Sequence, residues 1–167
     1  MDASGPPLAR GPAAGSEAKR PLRLWLRLLT CTNLIEQRVR ANLRAQYKTT
    51  LPRFDFLAAL DRAPDGLTMG EISRRLLVSP GNVTDVAERL ETEGLITRRP
   101  DPHDRRTQIV RLTPKGRKRF AELAASHEGW INGLFAGLGR RDIENLFDLL
   151  DKAKQVLEDN TGKGETP

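Results

Sequence analysis

A single cysteine, Cys31, excludes an intrachain disulfide framework and a thiolate zinc site within one chain. The two histidines, His103 and His127, stand far apart in sequence, so no metal and no cofactor is expected. No apolar run approaches the ~18 residues that a membrane span needs. Even Leu22 to Leu29 is interrupted by Arg23 and Arg27. The first residues include acidic Asp2 and lack the apolar segment of a signal peptide, so the expectation is a cytoplasmic protein without a membrane partner. Catalytic pairings are missing as well. Asp101 and Asp104 are close, but arginines flank them in a loop and no other acid joins them. An enzyme is not expected.

What remains is charge and periodicity. The chain has 167 residues, about one domain's worth, and a net charge of +6. From Thr68 to Arg119 there are 12 Lys/Arg against 7 Asp/Glu, whereas from Phe120 onward there are 5 against 9. A basic middle suits phosphate backbones through counterion release; the same charge also suits a plain solvated surface.

Residues 1–20 are rich in Gly, Pro and Ala and read as a disordered tail. Pro21 opens a long helix to about Tyr47, with Leu24, Leu28, Cys31, Ile35 and Val39 recurring at three- and four-residue steps. A second helix follows Pro52, with Phe54, Leu57, Ala58 and Leu60 inward, and Pro64-Asp65-Gly66 ends it. Thr68-Met69-Gly70-Glu71 is a capping box opening a short helix. Ser79-Pro80 starts the next, with Val83, Val86, Ala87 and Leu90 inward and Gly94 as the stop. Two strands follow, Leu95–Arg99 and Gln108–Leu112, around a polar loop from Pro100 to Thr107. Thr113-Pro114 caps a third long helix carrying Phe120, Leu123, His127, Trp130 and Ile131. Gly137-Leu138-Gly139 breaks it before a last helix with Ile143, Leu146, Phe147, Leu150 and Leu157, and residues 160–167 are expected to fray.

Two short capped helices and a long-looped hairpin make a winged helix-turn-helix. The fold class is mostly α with a small β-hairpin wing: a winged helix-turn-helix lobe over 50–119, plus a helical dimerisation region from 21–49 and 120–159. The outward residues of the second short helix are Ser79, Gly81, Asn82, Thr84, Asp85 and Arg89, small or hydrogen-bonding types that suit base edges in the major groove. Ser79 and the free N–H groups at the helix start suit a phosphate. The loop presents Arg105 and Arg106, and arginine suits a narrow minor groove.

Residues 57–119 resemble the MarR family of bacterial transcription factors. The motifs are Leu67-Thr68-Met69-Gly70-Glu71-Ile72, Ser79-Pro80-Gly81-Asn82-Val83-Thr84, Leu90 to Ile96, Asp101 to Arg106, and Leu112-Thr113-Pro114-Lys115-Gly116. The resemblance implies a cytoplasmic bacterial homodimer, most often a repressor, on a pseudopalindromic double-stranded DNA operator. One recognition helix would read each half-site. Its DNA-contacting set would be Thr68, Arg74, Ser79, Pro80, Gly81, Asn82, Thr84, Asp85, Arg89, Asp104, Arg105 and Arg106. Arg106 matches the wing arginine that enters the minor groove, and Asp104 the carboxylate that orients it. Pro80-Gly81 departs from the commoner second serine of the family.

The resemblance also implies a small effector. The chain is similar to a subgroup that governs hydroxycinnamate and benzoate catabolism and answers to aryl-coenzyme A thioesters. Trp25, Leu28, Phe54 and Trp130 then form the aromatic effector's site with Arg38 and Arg40, whose guanidinium groups suit coenzyme A phosphates. Arg38 and Arg40 lie two apart, so at most one lines its own pocket. Alternatives are a free phenolic acid, a drug-like effector, a redox switch at Cys31, or a DNA-binding protein without a ligand. Cys31 lies in the apolar stripe and reads as a core residue.

Overall fold

The computed structural model describes residues 19–101, 104 and 106–162. Among these residues it holds six helices and a three-stranded antiparallel sheet: α1 (Arg20–Tyr47), α2 (Leu51–Asp61), β1 (Leu67–Thr68), α3 (Met69–Leu76), α4 (Pro80–Thr92), β2 (Ile96–Pro100), β3 (Gln108–Leu112), α5 (Pro114–Phe135) and α6 (Arg140–Gly162). The chain divides into two compact units, one ending at Phe120 and the other running from Ala121.

In the first unit, α1 closes on Lys48 in the left-handed conformation; Lys48 N–H donates to the Arg44 carbonyl at 3.2 Å and Thr49 N–H to the Leu43 carbonyl at 3.3 Å. Only Val39 and Leu43 of α1 are buried. Cys31, expected in the core, is exposed in this chain. The α1 stripe finds cover within its own unit only near its C-terminal end, where α2 packs. α2 buries Phe54, Phe56, Leu57, Ala59 and Leu60. Phe56 and Ala59 were not expected inward, and Ala58 is only half-buried. An 11-residue helix burying five side chains has cover on more than one side, so a single-stripe reading undercounts it.

The strands number three rather than two. Leu67 and Thr68 pair with Val110 and Ile109, placing β3 between β1 and β2. The hairpin register runs from Ile96 opposite Leu112 to Pro100 opposite Gln108, one residue later on the first strand than expected. Gly66 makes the approach to β1 possible. Its φ is +87, and a Cβ there would lie 2.5 Å from Ile109 Cγ2.

The capping box forms as expected. Glu71 N–H donates to Thr68 Oγ1 at 3.2 Å and Thr68 N–H donates to Glu71 Oε2 at 2.7 Å. The Thr68 N–H and the Thr68 hydroxyl, which donates to Glu71 Oε2 at 2.9 Å, hold the Glu71 carboxyl below its usual range. α4 buries Val83, Ala87 and Leu90, and Gly94 follows it with φ +69. Gly116 N–H donates to Thr113 Oγ1 at 2.9 Å, capping α5. A Cβ on Gly116 would stand 1.9 Å from the Leu95 carbonyl oxygen, so only glycine fits where α5 starts against that backbone.

In the second unit, Asp142 accepts from the Gly139 N–H at 3.2 Å at the start of α6. α6 runs to Gly162, past the Asn160 at which fraying was expected. Leu146, Phe147, Leu149, Leu150, Val156 and Leu157 on α6 are all exposed.

Candidate nucleic-acid interface and cleft

α4 shows two chemically distinct faces. Val83, Ala87 and Leu90 are buried, whereas Ser79, Pro80, Gly81, Asn82, Thr84, Asp85 and Arg89 are exposed. The apolar face fixes the helix, and its polar face is left for an outside partner. Ser79 is the N-cap but makes no side-chain cap bond, which leaves its hydroxyl available. The first-turn N–H groups of Gly81 and Asn82 have no intrahelical acceptor, so the helix start offers donors and a positive dipole end to an anion. A Cβ on Gly81 would meet nothing within 4 Å. Glycine is therefore not a packing need there. The Thr84 hydroxyl donates to the Pro80 carbonyl at 3.0 Å, which sets its rotamer.

Thr68 and Arg74, the two expected contacts outside α4 and the wing, differ in setting. Thr68 is half-buried, and its hydroxyl is engaged in the capping box. Arg74 is exposed in the last turn of α3 beside Arg75, which sequence reasoning passed over. At the wing, Arg105 lies outside the described residues. Arg106 is exposed. Asp104 acts on the backbone: its Oδ1 accepts from the Arg106 N–H at 3.0 Å and its Oδ2 from the Thr107 hydroxyl at 2.9 Å. Asp104 thus engages the Arg106 peptide N–H and the Thr107 side chain, and Asp101 N–H closes the turn on the Thr107 carbonyl at 2.9 Å.

A cleft of about 830 Å³ opens within the first unit, inside the roughly 300–1,000 Å³ range of ligand sites. One wall is α4, through Asn82, Asp85, Val86 and Arg89. The opposite wall is the second half of α1, through Glu36, Arg40, Arg44 and Lys48, and the start of α2 adds Arg53, Asp55 and Phe56. Residues 36, 40 and 44 follow a four-residue step and so share one helix face, with Lys48 just beyond the helix end. Glu36 and Arg40 form an ion pair at 2.7 Å. The half-buried Asp55 carboxyl is pushed up to about 6, first by burial and then by the Glu36 charge, with Arg40 opposing. Arg53 is ion-paired to Glu93, the C-cap of α4. The cleft therefore touches the exposed side of α4 directly and its end through an ion pair.

Of the six residues expected around an effector, Arg40 lines this cleft and Arg38 does not. Trp25 and Leu28 are exposed on the first half of α1. Phe54 is buried with its ring 5.7 Å from that of Phe120. Trp130 belongs to the second unit, where the His127 ring meets it edge-on at 6.4 Å. Burial holds His127 below the ordinary imidazole range. The cleft residues Lys48, Asp55 and Glu36 were not anticipated. The four-residue spacing carried a signal for Glu36 and Lys48, and nothing local carried one for Asp55. Among the described residues, no group of three or more His, Cys, Asp or Glu is placed to hold a metal ion, and no helix is long and apolar enough to cross a membrane.

A MarR family model matches residues 47–107, from the end of α1 into the wing. Over 161 residues the chain is 30% identical to the transcriptional activatory protein BadR of Rhodopseudomonas palustris, covering 92% of this chain and 90% of BadR. The chain belongs to the MarR family. It is a DNA-binding transcriptional regulator. Among solved MarR-like structures, FabT of Streptococcus pneumoniae, in complex with DNA, matches with a TM-score of 0.68 at 26% identity, over 83% of this chain and 97% of FabT. CouR of Rhodococcus jostii RHA1, bound to p-coumaroyl-CoA, shares the fold with a TM-score of 0.67 at 18% identity, over 78% of this chain and 90% of CouR.

Proposed function

We propose that this MarR-family chain binds a pseudopalindromic operator as a homodimer and that an anionic aromatic effector in the cleft sets its operator affinity. The observation that carries the effector reading is the shared wall: Asn82, Asp85 and Arg89 of α4 line the same space as Arg40, Arg44 and Lys48 of α1. A ligand there meets α4 itself. It alters DNA affinity whenever it binds the arrangement that cannot fit the operator more tightly than the one that can. The cations lining the space outnumber its acids, which favours an anion. An aryl-coenzyme A thioester, such as a hydroxycinnamoyl one, combines phosphates with a ring, and CouR offers the precedent of a MarR-like fold bound to p-coumaroyl-CoA.

Homodimerisation rests on apolar surface. The first half of α1 and, in the other unit, α6 each expose several large apolar residues, and exposed apolar surface of that kind marks interaction sites. In this reading 21–49 and 120–159 serve assembly, while 50–119 serves DNA, with Ser79, Gly81, Asn82 and Arg106 as principal contacts. Repression is the proposed mode, since an occupied operator over a promoter excludes polymerase. A reporter that falls, not rises, when the regulator is deleted would reverse that sign, in line with the activatory name of BadR.

Titration of the operator-bound dimer with p-coumaroyl-CoA, p-coumarate and coenzyme A tests the effector. The thioester is expected to release DNA at a concentration at least about tenfold below that of either fragment, because it alone makes both sets of contacts. Arg40→Ala raises that concentration and Arg38→Ala leaves it unchanged. Equal potency of acid and thioester removes the coenzyme A reading; equal effects of the two arginine variants remove the cleft as the site.

A further inference from the structure

α3 hands over to α4 through Leu77 and Val78. Leu77 is 91% exposed, more than any other large hydrophobic residue among those described. Its backbone sits at φ 53, ψ 40, the left-handed region, where a residue with a Cβ is strained and glycine is not. At the end of α4 the chain meets the same need with Gly94 at φ +69; at the end of α3 it uses leucine.

The turn is closely tied. Leu77 N–H donates to the Arg74 carbonyl at 3.4 Å, and Val78 N–H donates to the Ser73 carbonyl at 3.2 Å. The Ser73 hydroxyl donates to the Val78 carbonyl at 2.6 Å. The leucine side chain is thereby held outward on a fixed stalk, at a conformational cost that no burial in this fold repays. Strain that persists without a packing reason points to a partner.

The surroundings say which partner. Arg74 and Arg75, both exposed, immediately precede the turn, and the exposed N-terminal residues of α4, Ser79 to Asn82, immediately follow it. Leu77 is thus continuous with the proposed DNA-reading surface, with cations suited to phosphates just before it and the hydrogen-bonding start of α4 just after. We propose that Leu77 docks on the duplex, making apolar contact with a deoxyribose edge or a thymine methyl beside the bases read by α4. This rests on the reading of α4 as the DNA-contacting helix. The contact excludes water from the rim of the interface, and a methyl contact also carries sequence preference.

The test uses the full-length protein and a duplex that the wild type selects from a random-sequence pool. Leu77→Gly is expected to keep or raise Tm, because the left-handed strain is relieved, yet to weaken binding about tenfold, or about 1.4 kcal/mol. The salt dependence of binding stays unchanged, since no cation is lost. Leu77→Asn, whose short side chain tolerates this backbone, shows the same loss, and Leu77→Met keeps most of the affinity. Uracil in place of thymine separates the two contacts. A methyl contact makes the wild type lose affinity on the uracil duplex while Leu77→Gly loses nothing further; a sugar contact leaves both proteins indifferent. Binding by Leu77→Gly and Leu77→Asn within about twofold of the wild type overturns the proposal. So does a matching fall in Tm in both variants, which makes the leucine structural. A wild type that enriches no duplex defeats the DNA reading of α4 itself.

Discussion

The first half of α1 leaves Leu22, Leu24, Trp25 and Leu28 between 41% and 57% exposed, whereas Val39 and Leu43 in the second half are 2% and 0% exposed. Both halves carry an apolar stripe at helical spacing and interleaved arginines. The difference is what packs against them. α2 covers the second half, whose adjacent face, with Glu36, Arg40 and Arg44, lines a cleft together with the start of α2. The first half has no such cover in its own unit, so its apolar face awaits a second copy in the proposed dimer. One helix thus serves the internal core and an external interface, and a stripe in sequence does not say which.

Truncation in the covered half should have the largest effect. Leu43→Ala is expected to cost about 2–5 kcal/mol of stability, measured by urea unfolding, because the emptied site is fully enclosed. A loss as small as that of a surface substitution would break the contrast between the halves. Leu28→Asp tests the other half. It places an unpaired carboxylate in the interface of each copy, so light scattering should report monomers with normal helical content. Operator affinity should fall about a hundredfold, or about 3 kcal/mol. A dimer that survives Leu28→Asp would remove this face from the assembly.

The cleft behind the second half predicts a smaller, pH-dependent effect. Asp55 titrates near 6 in the folded chain against 3.8 for the free group. A raised folded pKa means that its contribution is fully present below about pH 4 and is lost as pH rises through 6. Asp55→Asn, neutral throughout, should raise Tm at pH 7 by about 2–4 °C, corresponding to about 1 kcal/mol after allowance for solvent screening. It should also flatten the Tm profile between pH 4 and 7. A steeper profile in the variant would contradict the assigned cause. The smallest effect belongs to Cys31. Exposed on the first half of α1, it should tolerate Cys31→Ser within about 0.5 kcal/mol. A thiol reagent should label it faster in the Leu28→Asp monomer than in the wild-type dimer. Peroxide that releases operator from the wild type but not from Cys31→Ser would make this thiol a switch.

Much of the lobe was legible residue by residue, because its signals are local. The Thr68–Glu71 box, Pro80 at the start of α4, Gly94 beyond its end and the apolar run of Gln108 to Leu112 beside a polar loop each report on a few neighbouring backbone groups. β1 was not legible: two residues cannot display a period of two, and Leu67-Thr68 becomes a strand only because β3 offers an edge. Phe56 was hidden for the converse reason, since α2 has apolar neighbours on several sides and no single stripe describes it.

By itself the amino-acid sequence determined the order of the helices and the hairpin, the polar face of α4 and the turn chemistry of the wing, because capping, periodicity and glycine conformations act over a few residues. The tertiary structure alone decided which apolar stripes are core, that Cys31 is exposed, and that Asp55 and Arg89 join Arg40 around one cleft. Those outcomes depend on contacts between segments dozens of residues apart, and the strength of burial and charge coupling is set by distance in space, on which local sequence spacing is silent.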